Sequence, residues 1–122
     1  MYSHPAPTNG HHNDEVRANY GSNNTMLIQK VTETWNPGTL TFNNQPSSAS
    51  TNQVVIPSTN QAFLDLVDID VTQLVKDMTG SNANYGFFLR LQNEVYYNSR
   101  IFATSKYSDA ARHPKLVIVY SK

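Results

Sequence analysis

The sequence predicts an all-β fold, a jelly-roll-like antiparallel β-sandwich with one short α-helix at about residues 71–79. Charged residues make up only 15% of the chain, against about 25% in an ordinary soluble domain. Asn, Ser and Thr together account for roughly three in ten residues, and these side chains favour turns and strands over helix interiors. Short aliphatic and β-branched runs lie between the polar segments. We therefore expect about seven or eight short strands joined by polar loops.

The first strands are predicted on either side of the single Trp of the chain. TMLIQKV (25–31) is rich in β-branched and aliphatic residues, which is typical of a strand. GTLTFNN (38–44) alternates in polarity, which predicts a strand with Leu40 and Phe42 facing the core. Trp35 is expected to pack in the core or at an edge in preference to forming a ligand platform.

The later strands follow from the same kinds of pattern. After a polar loop at 43–53, strands are expected at VVIP (54–57, stopped by Pro57), QAFLDLVDIDV (61–71), YGFFLRLQ (85–92, with Phe87, Leu89 and Leu91 inward), SRIFATS (99–105) and KLVIVY (115–120). The last of these is apolar on both faces, which predicts a central strand of a sheet.

The hydrophobic period changes once along the chain. Four apolar residues recur at the spacing i, i+3, i+4 and i+7, which predicts one amphipathic helix: Val71, Leu74, Val75 and Met78. Asp70 or Thr72 is expected to cap its start, and Gly80 to end it in a left-handed turn.

The length of 122 residues suits one domain with one core. We expect residues 1–24 to form an irregular N-terminal segment with short strands, and residues 25–122 to form the β-sandwich domain. The N-terminus lacks the basic start and apolar stretch of a signal peptide. No apolar run reaches the ~18 residues that a membrane span needs.

Charge and composition exclude several classes of function. The formal net charge is zero, so the chain lacks the basic field that attracts nucleic acid. It contains no Cys, which excludes disulfides, Cys-ligated zinc and a Cys nucleophile. Asp65 and Asp68 would point to opposite faces of a regular strand, and no nucleophile elbow or phosphate loop occurs. We therefore predict that the protein is not an enzyme.

An ordered set of short motifs resembles a known family. The set comprises Trp35, Thr39 and Asn43–Pro46 in WNPGTLTFNNQP, then TNQVVIP (51–57), DVTQLVKDM (70–78), NYGFFLRLQ (84–92), the segment 97–105 and ARHPKLVIVY (111–120). In this order they resemble the DNRLRE-type domain, a β-sandwich of secreted Bacteroidota proteins that overlaps carbohydrate-binding modules described as alginate-binding. Phe42 stands where that family usually has Trp, and the family's opening strands are expected ahead of Met1.

The resemblance implies a non-catalytic extracellular or cell-surface module that binds a polysaccharide, with alginate as an acidic example. The alternative is a structural subunit of an extracellular fibre or strand-exchanged oligomer. In that case a neighbouring chain would supply a strand to an open sheet edge.

The candidate ligand-binding residues combine aromatic rings for stacking, amides for hydroxyl groups and guanidinium groups for carboxylates. They are Arg90, Gln92, Tyr96, Tyr97, Asn98 and Arg100. The competing interpretation is structural: one of the two neighbouring Tyr rings packs in the core, and Arg100 donates to backbone carbonyls.

No metal site or cofactor is predicted. HHNDE (11–15) offers imidazole and carboxylate ligands, but a solvated loop is the better interpretation. His4 and His113 are expected to have structural roles. A structural calcium ion is compatible with the loops rich in Asn and Asp, although no EF-hand spacing supports it.

Overall fold

The structure is a computed structural model and describes residues 1–5 and 17–121. Its regular elements, in chain order, are β1 (Asn19–Tyr20), β2 (Met26–Val31), a 3-10 helix (Phe42–Asn44), β3 (Ser48–Ile56), α1 (Thr72–Ser81), β4 (Phe87–Leu91), β5 (Ser99–Arg100) and a second 3-10 helix (Ala110–Arg112). The strands pair antiparallel, and one short α-helix accompanies them. The predicted fold class, an all-β sandwich with one short helix, agrees with these elements.

The chain divides into two units that interleave along the sequence. The first unit comprises Met1–Asn24, Thr59–Ile69 and Glu94–Lys122, and the second comprises Thr25–Ser58 and Asp70–Asn93.

The second unit contains a three-stranded antiparallel sheet in the order β3-β2-β4. Met26 in the central strand lies opposite Ile56 on one side and Leu91 on the other. Both faces of β2 are buried, since the consecutive residues Met26–Gln29 are all buried. This confirms the strand predicted at 25–31, and burial of its aliphatic side chains stabilises the sheet.

Helix α1 lies close to β2 and β3. Its buried residues are Leu74 and Met78, two of the four residues of the predicted apolar face, whereas Val75 is half-buried and Val71 precedes the helix. Asp77 on α1 accepts a hydrogen bond from Nδ2 of Asn52 at 2.8 Å and lies 3.8 Å from Nζ of Lys30. Asn52 has a φ of +58°, and it belongs to a bulged part of β3 where the register with β2 shifts.

The residues that begin and end α1 differ from those predicted. At the start, the N-cap residue is Val71, which makes no side-chain capping bond, so neither Asp70 nor Thr72 is the cap. The Asp70 carboxylate, one residue earlier, accepts the N–H of Thr72 at 2.9 Å and so satisfies one N–H of the first turn. At the other end Gly80 lies within the helix, which continues to Ser81. The left-handed residue is Asn82, with a φ of +50° and its N–H directed to the carbonyl of Met78. An Asn side chain tolerates this conformation well, which explains the later stop.

In the first unit the N-terminal residues lie between two other segments. The main chain of Met1 exchanges hydrogen bonds with Leu66, and Oγ of Ser3 accepts the N–H of Leu64 at 3.0 Å. On its other side Ser3 forms an antiparallel bridge with Phe102. Nearby, β1 pairs with β5 in a two-stranded ribbon.

The strand predicted at 38–44 was wrong. The segment forms a turn followed by a 3-10 helix, and Leu40 and Phe42 are 42% and 80% exposed instead of facing the core. Its Asn and Thr side chains bond to nearby backbone and side-chain groups, which competes with strand pairing. The polar loop expected at 43–53 is also shorter, because β3 begins at Ser48. The expected stop at Pro57 is confirmed.

The long strand predicted at 61–71 was also wrong, because these residues form bends and irregular backbone. Asp68 has a φ of +54°, which interrupts an extended chain. The Asp65 carboxylate instead accepts the N–H of Ser3 at 2.8 Å.

The predicted central strand at 115–120 is absent from the sheets that the structure describes. Its apolar side chains are exposed, to 93% at Val119, because no described strand covers them. The segment 99–105 is shorter as a strand than predicted, with β5 covering Ser99–Arg100. Residues 87–91 do form β4, an edge strand of its sheet, but Leu89, predicted to face inward, is 40% exposed.

Within residues 1–5 and 17–121, no helix is both long enough and apolar enough to cross a membrane.

Candidate functional site

Two neighbouring aromatic rings project from a tight turn in the first unit. The N–H of Asn98 bonds to the carbonyl of Val95 at 3.2 Å and closes the turn. Tyr96 is 72% exposed and Tyr97 is 45% exposed. Their ring centroids lie 4.5 Å apart with an interplanar angle of 72°, the edge-to-face arrangement that aromatic pairs favour. Both rings project outward from the turn, so neither packs in a core.

The backbone at Tyr97 is held in an unusual conformation. Its φ is +73°, in the left-handed region that side chains other than Gly and Asn rarely adopt. Such a residue costs of order 1–3 kcal/mol and persists only where its surroundings hold it. The position of the Tyr97 ring is therefore a consequence of contacts made by the flanking residues.

One of those contacts joins Asn98 to the loop that follows β1. Nδ2 of Asn98 donates to the carbonyl of Asn23 at 2.8 Å. The same side chain lies against Gly21, where a Cβ would come within 1.9 Å of Oδ1 of Asn98 and 2.9 Å of its Cα. Gly21 also has a φ of +95°. Only glycine satisfies both the conformation and the space, so the two loops approach closely at this point.

A second contact is made by Arg100 on β5. Its Nε donates to the carbonyl of Asn24 at 2.9 Å, and Nη2 lies 3.4 Å from Oδ1 of the same residue. Burial lowers the pKa of Arg100, because desolvation disfavours the charged form. These contacts correspond to the structural interpretation of Arg100, in which its guanidinium bonds to backbone carbonyl oxygen.

Asn24, the partner of Arg100, is fully buried at 0% exposure. Its Nδ2 donates to the carbonyls of Tyr20 at 3.2 Å and Thr59 at 3.1 Å, and its Oδ1 accepts the N–H of Thr59 at 2.9 Å. Asn24 therefore fixes the loop against which the aromatic turn is held. Its role follows from long-range contacts, so no local sequence pattern marks it.

A cation lies over a third Tyr ring in the same unit. The Arg17 guanidinium is 4.6 Å from the ring centroid of Tyr20, within cation–π distance. Tyr20 pairs with Ser99 across the β1–β5 ribbon, one strand residue beyond the turn. Arg17 is exposed. Sequence reasoning missed both residues, because their place beside the turn depends on the register of two very short strands.

The structure places the six predicted site residues in two groups. Tyr96, Tyr97, Asn98 and Arg100 lie together in the turn and β5 of the first unit. Arg90 and Gln92 belong to the second unit, at and just beyond the end of β4. Both are exposed, and the N–H of Gln92 bonds to the carbonyl of Thr25 at 2.8 Å.

Trp35, in the second unit, is half-exposed. Its indole N–H donates to the carbonyl of Tyr85 at 2.8 Å, so its polar edge is tied to the backbone.

The isolated His residues have contacts that fit structural roles. The His4 ring meets the Tyr107 ring edge-on at 5.0 Å between centroids, and Nε2 of His113 lies 2.7 Å from the carbonyl of Tyr107. No group of three or more His, Asp or Glu side chains suited to a metal ion occurs among the residues described. The HHNDE segment lies outside them.

Comparison with protein families gives one match, and it spans both units. Residues 12–120 match the family model described as carbohydrate-binding module family 96. Comparisons with curated proteins and with solved structures gave no match. A carbohydrate-binding module holds a glycan without transforming it, so the prediction that the protein is not an enzyme is confirmed. This chain belongs to carbohydrate-binding module family 96.

Proposed function

We propose that this protein is an extracellular or cell-surface module that holds an acidic polysaccharide, such as alginate, against the Tyr96–Tyr97 turn. The observation that carries the proposal is the exposed aromatic pair on a turn fixed by Asn98 and Arg100. A preorganised surface loses little conformational entropy on binding. We propose the extracellular location because the sequence resembles DNRLRE-type domains, which occur in secreted proteins.

The two rings form a corner, since their planes meet at 72°. A flat platform would accept a flat sugar ring, whereas a corner suits a glycan chain that bends between residues. Each ring offers an apolar face to the C–H groups of a pyranose, and each phenol hydroxyl can donate to or accept from a sugar hydroxyl.

An acidic glycan also needs cations that reach its carboxylates. Arg17, exposed and stacked over Tyr20, is the cation we assign to this role in the first unit. Arg100 contributes through the geometry of the turn, because its guanidinium is engaged by Asn24. Arg90 and Gln92, which belong to the second unit, remain proposed ligand-binding residues of that unit.

The direct test is the dissociation constant for sodium alginate, measured by affinity electrophoresis. Tyr96→Ala and Tyr97→Ala should each weaken retention about tenfold, which corresponds to about 1.4 kcal/mol. Phe63→Ala removes an exposed ring outside the turn, 43% exposed against 45% for Tyr97, and should leave retention unchanged. Wild-type retention in both turn variants would exclude the turn as the site.

A separate experiment tests whether charge attraction contributes to alginate binding. Carboxyl-reduced alginate keeps the sugar backbone but lacks the anions. Arg17→Ala should weaken binding to alginate and leave binding to the reduced polymer unchanged, and added salt should reduce the difference. Arg90→Ala and Gln92→Ala measured in the same series report whether the second unit takes part. An equal loss on both polymers would show that Arg17 acts through structure instead of charge.

A second function is favoured by the exposed segment 115–120. KLVIVY has strong β-propensity and pairs with no strand that the structure describes. We propose as the alternative that this segment pairs with a second copy of itself and assembles the protein into an oligomer or fibre. In antiparallel pairing Lys115 would face Tyr120, so no like charges oppose each other.

Light scattering over a concentration series tests this alternative. Assembly predicts a mass that rises with concentration, and Val119→Lys should abolish the rise because it places a charge in the paired strand. Val67→Lys introduces the same charge at another exposed Val and should have no effect. A wild-type chain that stays monomeric throughout would exclude self-association.

A further inference from the structure

The loop between β2 and β3 displays an aromatic ring that the proposed site does not use. Phe42 is 80% exposed, more than either Tyr of the aromatic turn. It begins the 3-10 helix of the second unit. Phe carries no polar atom, so exposing it to water gains no hydrogen bond and leaves apolar area unburied.

The base of this loop is closed by hydrogen bonds between its two arms. The N–H of Thr32 donates to the carbonyl of Ser47 at 2.9 Å. The N–H of Ser47 in turn donates to the Glu33 carboxylate at 2.7 Å. The ends of the loop are therefore fixed where it leaves and rejoins the sheet.

The tip of the loop is braced by its own polar side chains. Nδ2 of Asn44 donates to the carbonyl of Thr39 at 2.8 Å, and Oδ1 of Asn44 accepts the N–H of Thr41 at 2.5 Å. Asn36 accepts the N–H of Gly38 at 2.8 Å. The Asn36 and Asn44 side-chain amides therefore hold the loop in its conformation. The loop exposes the Phe42 ring to solvent.

The charge of the loop limits the class of ligand. Trp35–Pro46 contains no Asp, Glu, Lys or Arg, so the loop itself offers no partner for a carboxylate. Leu40 and Trp35 are also partly exposed in it. A braced, uncharged surface with an exposed ring is suited to the apolar C–H face of a neutral sugar.

We propose that the Phe42 loop, residues 35–46, is a second glycan contact that takes the apolar face of a pyranose in an uncharged polysaccharide. The inference rests on the carbohydrate-binding function proposed for the protein, but it is independent of the Tyr96–Tyr97 turn.

The test uses soluble mixed-linkage β-glucan, galactomannan and xylan in affinity electrophoresis. The wild type should be retarded by at least one of them, and Phe42→Ala should weaken that binding at least fivefold. The matched surface control Phe63→Ala, at another exposed ring, should bind these neutral polymers as the wild type does. Phe42→Ala should keep wild-type alginate retention, which separates this site from the aromatic turn.

Two further variants distinguish ring stacking from general apolar contact. Phe42→Tyr keeps an aromatic ring and should retain binding, whereas Phe42→Leu keeps apolar volume and should lose it. Because Phe42 is exposed, none of these changes should shift the melting temperature appreciably. Wild-type binding by Phe42→Ala, or no binding of any of the three polymers by the wild type, would overturn this second contact. Neither outcome would affect the proposed alginate site, which the alginate retention of Tyr97→Ala tests separately.

Discussion

Arg100 and Asn24, 76 positions apart in sequence, are joined by a 2.9 Å hydrogen bond from the guanidinium Nε to the main-chain carbonyl. Asn24 is buried and itself bonded to Thr59, so Arg100 connects β5 to a fixed part of the first unit. The strained residue Tyr97 lies three positions before Arg100 on the same segment. We infer that this pair, with Asn98, offsets the cost of the Tyr97 conformation.

Replacing Arg100 by Lys should destabilise the protein. Lys keeps the charge but lacks the planar guanidinium, so the Asn24 carbonyl and Oδ1 lose their joint donor. We expect a loss of about 1–3 kcal/mol in the free energy of unfolding, measured by urea denaturation. Arg90→Lys, at an exposed position of β4, should change it by less than about 0.5 kcal/mol. Equal effects of the two changes would contradict the structural role.

Gly21 and Gly80 form a matched pair for the effect of an added methyl group. Gly21→Ala places a Cβ against Asn98 at a positive φ and should cost at least about 2 kcal/mol in the free energy of unfolding. Gly80→Ala meets nothing within 4 Å inside α1, and should stabilise by about 0.5–1 kcal/mol. Thermal unfolding of the two variants should therefore shift in opposite directions. A harmless Gly21→Ala would mean that the loops are further apart.

Tyr97→Gly should separate stability from binding. Glycine adopts a φ of +73° without steric cost, so the free energy of unfolding should stay level or rise by up to about 1 kcal/mol. The same change removes a ring and should abolish the contribution of Tyr97 to alginate binding. Tyr96→Gly provides the comparison, since its φ is not positive and glycine there only adds chain entropy in the unfolded state. Tyr96→Gly should lower stability, and a similar loss in Tyr97→Gly would show that its backbone is unstrained.

We expect the Asp70 carboxylate to stabilise the folded state in a pH-dependent way at the start of α1. Hydrogen bonds from Thr72 lower the pKa of Asp70, so the folded state binds its proton less readily than the unfolded chain. The stabilisation is then present above the unfolded pKa of about 3.9 and is lost as pH falls below it. The melting temperature of Asp70→Ala should lie below wild type at pH 7 and approach it at pH 3. A gap that is the same at both pH values would exclude this linkage.

Local sequence patterns correctly predicted the helix and the central strand, because the positions of their apolar side chains follow the period of the element itself. The spacing of Leu74 and Met78 identified α1, and the aliphatic run at 25–31 identified the central strand β2. Strand predictions were wrong where polar side chains compete for the backbone. Asn44 holds the 35–46 loop in a turn, although the alternation at Leu40 and Phe42 is that of a strand.

The candidate site was only partly accessible from sequence. The pair Tyr96 and Tyr97 stood out because aromatic, amide and guanidinium side chains cluster there. The roles of Gly21 and Asn24 depend on contacts more than 30 positions away along the chain. Burial of residues 115–120 was expected because the segment is apolar on both faces. Burial depends on which strands lie alongside, and a strand's own residues do not specify them.

The central claim is that the Tyr96–Tyr97 turn contacts the polysaccharide. The most direct measurement is an amide ¹H–¹⁵N NMR titration of the protein with a defined alginate oligosaccharide. We predict that the largest saturable shifts fall on Tyr96, Tyr97 and Asn98, with smaller shifts at Arg17 and Tyr20. Saturable shifts that leave this turn unchanged and cluster elsewhere would contradict the account.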